Sequence, residues 1–179
     1  MAKKGYKASH IPDFAGAMQL LRVTALKTAT GAVRRFVETE RRGFQEAIRH
    51  QDFRSFHQNP LSARWLAKKH AAGADLRVMI ATGTYVSTIR TFMRRASGGG
   101  YRFRIGFAPN QHARNLDRTV SPLLLSDLAA IHENGTGKVP ARPHWQPYLR
   151  GMMVRARLFR EELAERIAGA VQAKIEKGK

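Results

Sequence analysis

The sequence predicts an α+β fold, with a long N-terminal helix, a small antiparallel sheet and a C-terminal helix. Three patterns carry that expectation. Apolar or small residues recur in steps of three and four from Phe14 through Met18, Leu21, Ala25, Ala29, Ala32 and Phe36 to Phe44 and Ile48, the spacing of a helix buried along one stripe. Tyr101, Phe103, Ile105 and Phe107 alternate with Arg102 and Arg104, the period of a strand. Leu158, Leu163, Ile167, Val171 and Ile175 return to helical spacing near the C-terminus.

Residues 1–12 carry Lys3, Lys4 and Lys7 without an apolar period and are expected to form a flexible basic arm ahead of a single domain over 13–179. Asp13 after Ile11-Pro12 is the expected N-cap of the first helix. Unbroken to His50, that helix would be ~57 Å long, too long to bury its stripe against one small domain. One end is therefore expected on a neighbouring subunit. Gly31, close to Thr24, Thr28 and Thr30, is the expected bend.

Asn59-Pro60 has the residues of a second helix start, running through Trp65 and Leu66 to Ala72 and stopping at Gly73. Arg77–Ala81 has the composition of a short strand, and Thr82-Gly83-Thr84 of a turn. Val86–Met93 reads equally as helix or strand. Gly98-Gly99-Gly100 is a permissive hairpin turn, so Ile89–Arg95 is the expected antiparallel partner of Tyr101–Phe107. The aromatic face of that strand is expected to wall the core. Arg102 and Arg104 then face solvent, DNA or an acidic partner. Ser121-Pro122 should cap a short apolar helix over Leu123–Ala130. The last helix is expected from Tyr148 or Val154 to Ile175, its early Glu161, Glu162 and Glu165 and late Lys174 and Lys177 matching the helix dipole.

Between the last two helices lies Ile131-His132-Glu133-Asn134-Gly135, followed by Val139-Pro140-Ala141-Arg142-Pro143-His144. Each proline fixes its own φ and pushes the residue before it toward an extended backbone. Val139–Arg142 is thus expected to be a stiff arm presenting Arg142 to a partner. On that expectation Arg142→Glu or Pro140→Gly leaves the monomer folded and abolishes the joint it makes.

Ile131, His132, Glu133, Gly135, Val139, Pro140, Ala141, Arg142 and Pro143 resemble the His-Glu turn and Pro-Ala-Arg-Pro bracket of the tail-completion, or virion-morphogenesis, proteins of tailed bacteriophages. A second match lies upstream, in Leu61-Ser62, Leu66-Ala67-Lys68-Lys69, Thr82-Gly83, Ser87 and Ile89. Together they cover roughly residues 60–175. The chain departs from the pattern at Tyr85, Asn134 and His144, where the family carries Leu, an aromatic residue and Phe. The resemblance implies a structural virion protein at the head–tail junction, assembled in the host cytoplasm as a ring of six copies. Its implied partners are neighbouring neck, connector or tail-terminator proteins, with the DNA in the channel as a further candidate. The residues it implicates in assembly are His132, Glu133, Gly135, Val139, Pro140, Ala141, Arg142 and Pro143.

The totals bound the alternatives. Among 179 residues there is no cysteine, which removes disulfides, thiolate metal sites and Cys nucleophiles. No apolar run approaches the ~18 residues of a membrane span, and no signal-peptide pattern follows the first lysines. The net charge of +19 is spread along the chain, so a sequence-nonspecific nucleic-acid-binding protein is the alternative reading. His132 and Glu133 are adjacent and diverge by ~100° on a helix, and two prolines separate them from His144. No metal, cofactor or catalytic site is therefore expected, and Glu133 is expected to cap or pair, with Arg142 as one partner. Neither glycine turn has the context of a phosphate-binding loop, and no serine sits in a nucleophile elbow.

Overall fold

A computed structural model of the chain describes residues 12–80, 83–95, 101–113 and 123–176. Lys3, Lys4 and Lys7, the Gly98–Gly100 turn and the Ser121-Pro122 cap lie outside the described residues. The elements are α1 (Pro12–His50), α2 (Arg54–Gln58), α3 (Ala63–Ala71), α4 (Thr84–Ser87), β1 (Arg90–Arg95), β2 (Tyr101–Gly106), α5 (Leu125–Asn134) and α6 (Trp145–Glu176). The class is the α+β one that the periodicities predict. The chain divides into two compact units, Met1–Phe36 with Ala156–Lys179, and Val37–Arg155.

In the first unit, Phe36 of α1 stacks on Phe159 of α6 with ring centroids 4.6 Å apart. On this part of α6 the half-buried residues are Ala156, Phe159, Leu163, Ile167, Ala170 and Val171. Leu158, assigned to the inward stripe from sequence, is 62 % exposed, and Ile175 is 41 % exposed. The stripe begins one residue later, at Phe159, which keeps a four-residue step to Leu163. Helix α1 runs without interruption through Gly31 and starts at Pro12, so Asp13 lies within its first turn. One glycine in a long helix costs only about 1 kcal/mol, too little to break it.

The second unit holds the hydrophobic core. Phe44 and Ile48 of α1 pack with Phe53, Phe56, Val78, Ile80, Tyr85, Val86, Ile89, Leu125 and Ala129. The Phe44 ring lies 4.4 Å from Trp145 and 4.8 Å from Tyr148, so the first turns of α6 close over the core. β1 and β2 form a two-stranded antiparallel ribbon, with Phe92 opposite Arg104 and Arg94 opposite Arg102. Ile105 and Phe107 back onto the core as the alternation predicts, and they and Phe103 are all half-buried.

Two local expectations are corrected. Asn59 is the C-cap of α2, and α3 begins after Ser62, whose side chain accepts the Trp65 N–H. On α3 the buried residue is Lys69, while Trp65 and Leu66 are exposed. Arg77–Ile80 is a turn, with Met79 at φ 68°. Its backbone groups go to side chains instead of a neighbouring strand. Gln51 accepts the Val78 N–H at 2.9 Å and donates to the Val78 carbonyl at 3.1 Å, and Lys69 Nζ donates to the carbonyls of Asp75 and Arg77. With those groups already satisfied, no strand partner is required. Ala81, the last residue of the expected strand, lies outside the described residues.

Candidate functional site

The short helix expected over Leu123–Ala130 is α5, displaced to Leu125–Asn134. Its last turn therefore carries His132 and Glu133. Gly135 ends it at φ 74°, and a Cβ there would lie 2.8 Å from the Ala141 nitrogen and 3.1 Å from the Val139 carbonyl. Both the left-handed backbone and the close approach require glycine. Thr136 and Val139 then exchange backbone hydrogen bonds, and the Thr136 hydroxyl accepts from the N–H groups of Lys138 and Val139. The loop tip at Thr136–Lys138 and Pro140 is exposed.

The other half of the bracket turns inward. Arg142 is only 4 % exposed. Its guanidinium donates to the carbonyls of Asn59 (Nε, 2.5 Å) and Pro60 (Nη2, 2.9 Å), and its N–H donates to the His132 carbonyl. Asn59 Nδ2 donates to the Ala141 carbonyl and Ser55 Oγ to the Pro143 carbonyl. The bracket is thus stitched to the α2–α3 connection by both main chain and side chains. Arg142 does not pair with Glu133 and is not presented to a partner. The free carbonyls after α2 take the guanidinium.

Glu133 has a different task. Its carboxylate accepts the N–H groups of His144 (2.9 Å), Trp145 (3.0 Å) and Gln146 (2.9 Å). Those are donors at the start of α6 that have no partner within the helix. A carboxylate at that end also meets the positive pole of the dipole. Because α6 begins at Trp145, Glu161, Glu162 and Glu165 sit in its middle and cannot act on its dipole as the sequence suggests.

Tyr85 and His144, two of the three departures from the family pattern, are partners. Tyr85 Oη lies 2.7 Å from His144 Nε2 and accepts from Trp145 Nε1 at 2.9 Å, while His144 Nδ1 lies 2.9 Å from the Arg142 carbonyl. The indole can only donate and the carbonyl can only accept. One arrangement uses every group: Trp145 donates to Tyr85, Tyr85 donates to Nε2, and Nδ1–H donates to Arg142. His144 is therefore neutral. It is fully buried, and burial holds its pKa below the ordinary value. The third departure, Asn134, is exposed and donates to the Ala130 carbonyl.

His132 is neutral as well. Burial, reinforced by the neighbouring His144, Arg142 and Lys69, lowers its pKa to about 4, and its Nδ1 has no hydrogen-bond partner. Both folded-state values lie below that of an unfolded histidine, so the unfolded chain binds more protons as pH falls. The stabilisation is complete above pH ~6.5 and declines from there toward pH ~4. His132 alone is expected to remove about 2 kcal/mol at pH 5. Urea unfolding at pH 7.5 and 5 measures this, and equal midpoints would show that the two rings ionise freely in the fold.

Glu133 Oε2 and His144 Nδ1 are 3.5 Å apart, but both groups are occupied by the contacts above. Among the described residues no three His, Asp or Glu side chains gather as metal ligands.

No protein-family model, curated protein or solved structure matches this chain.

The expected assembly residues thus divide. Glu133, Gly135, Ala141, Arg142 and Pro143 hold α5, α6 and the α2–α3 connection together, with the His132 carbonyl receiving the bracket. Pro140 and the half-buried Val139 remain at the surface. Uncovered apolar surface lies instead on the long helices. In the first unit, Met18, Leu20, Val23 and Leu26 of α1 are 44–51 % exposed, beside Leu158 and Ile175 of α6 noted above. In the second unit, Met153 and Val154 of α6 are 70 % and 64 % exposed. The excess length of α1 is legible in the sequence, but helical spacing puts Met18 and Leu158 on the buried stripe. The adjacent Leu20 and Val23, outside that stripe, were the available signal. Among the described residues no helix is long and apolar enough to cross a membrane.

Proposed function

We propose that this chain is a structural virion protein of a tailed bacteriophage, a tail-completion or neck component that joins head to tail by protein–protein binding. Its copies close into a ring through heterologous contacts between neighbours. The resemblance over residues 60–175 supplies the assignment. The single observation that supports assembly is the uncovered apolar surface of α1 and α6. Large apolar side chains left exposed on one chain offer surface that another chain can cover. The bracket contributes indirectly, by fixing the first turn of α6 onto the core from which that helix extends.

In sedimentation experiments the purified chain is expected to form a closed oligomer, six copies being the number the resemblance implies. Leu26→Glu with Leu158→Glu, at positions already exposed, is expected to leave the fold intact and give monomers. A wild-type chain that stays monomeric at its highest soluble concentration would refute self-assembly. Antibody labelling of intact particles tests the location, and label away from the head–tail junction would refute the placement.

A further inference from the structure

The antiparallel register brings together a surface that neither strand carries alone. Pairing places Arg90, Phe92 and Arg94 of β1 on the same face of the ribbon as Arg102 and Arg104 of β2. All four arginines are exposed. Arg94 sits directly opposite Arg102, an arrangement in which like charges destabilise the strand pair. The Arg104 guanidinium lies 4.9 Å from the centre of the Phe92 ring. None of the ion pairs among the described residues involves any of the four. A strand pair that gathers four uncompensated guanidinium groups on one face is suited to an anionic partner.

We propose that this face of the β1–β2 ribbon binds the phosphate backbone of duplex DNA without sequence preference. The charge density decides for nucleic acid over protein. Arg90 to Arg94 spans about 13 Å of strand, and the same length of duplex carries about eight phosphates. Protein–protein interfaces are enriched in single arginines but keep an apolar centre, whereas here Phe92 is the one apolar side chain among four like charges. The aromatic content decides for duplex over single strands. Splayed bases need several stacking platforms, and the single ring on this face is shared with Arg104. Arginine's fork also suits bidentate contact with phosphate oxygens. This inference does not rest on the phage assignment, because the ribbon belongs to each copy whether or not copies assemble.

The test is binding of the full chain to a labelled mixed-sequence duplex across a salt series. Converting Arg90, Arg94, Arg102 and Arg104 together to Gln is expected to weaken binding at least ~10-fold near 0.1 M salt and to flatten the log–log salt slope by about 3.6, with about 0.9 for each single variant. A matched control, Arg150→Gln, Arg157→Gln, Arg160→Gln and Lys174→Gln on exposed positions of α6, removes the same formal charge and is expected to cost much less. Equal losses in the two variants would mean that net charge alone attracts DNA and would overturn the site. So would wild-type affinity in the ribbon variant. Poly-L-glutamate competing as well as the duplex per unit charge would assign the face to an acidic protein. Tighter binding of single-stranded RNA of equal length would exclude the duplex. Thermal melts of each variant confirm that the exposed substitutions leave the fold in place.

Discussion

Arg142→Glu is expected to unfold or severely destabilise the monomer, by about 3–5 kcal/mol, through loss of a buried, hydrogen-bonded charge and its replacement by one of opposite sign. The carboxylate would face the Asn59 and Pro60 carbonyl oxygens that now accept from the guanidinium. Three acceptors would then share a site that excludes water. Arg142→Met isolates part of the effect, since it keeps an apolar stem and leaves only the two carbonyls unsatisfied, at a cost of about 1–3 kcal/mol. Denaturant unfolding of both variants checks the order of the two losses. An Arg142→Glu chain as stable as wild type would mean that the guanidinium is free in solution, as the sequence alone suggests. The tertiary contacts reverse that expectation: Arg142→Glu should fail before assembly, whereas Pro140→Gly alters an exposed residue outside the hydrogen-bonded stitch.

Glu133→Gln is expected to cost about 2–3 kcal/mol, combining the loss of charge-assisted hydrogen bonds with the loss of an N-terminal cap. Two oxygens now receive three N–H groups, from His144, Trp145 and Gln146. An amide retains one acceptor and turns a donor toward the others, and it removes the negative charge that meets the α6 dipole. The melting temperature should fall by roughly 5–10 °C for a chain of this size. Hydrogen exchange at Trp145 and Gln146 should accelerate well before exchange in the middle of α6. Unchanged protection there would show that the helix start is satisfied by water and that Glu133 is incidental. The loss also bears on the proposed function, because this cap fixes the first turn of the helix that carries Met153, Val154 and Leu158 at its surface.

Much of the candidate site was visible before the fold, but its roles were not. The His-Glu turn is a local signal, and local physics does what it promises: Gly135 takes a positive φ. The partner of Glu133 was harder to see. Capping was among its expected roles, yet the helix it caps was placed three or more residues too late, so Arg142 stood as the named partner. Tyr85 and His144 are 59 positions apart, and each looked like an isolated departure. Together they make one buried hydrogen bond, which neither position reveals alone. The arginine ribbon was half legible. Alternation put Arg102 and Arg104 on the outer face, but adding Arg90 and Arg94 required the register.

The sequence by itself determined the class and the three long-period elements, α1, the β1–β2 ribbon and α6, because helical and strand periodicities are written in consecutive residues and need no distant partner. Tertiary structure alone decided which way Arg142 points, why Lys69 is buried while Trp65 is exposed, and why Arg77–Ile80 is a turn. In each case the deciding contacts join a side chain to backbone groups: Arg142 to the Asn59 and Pro60 carbonyls, Lys69 to those of Asp75 and Arg77, and Gln51 to Val78. Their positions depend on how distant segments pack, and the Arg142 acceptors lie 82 and 83 residues away in the chain.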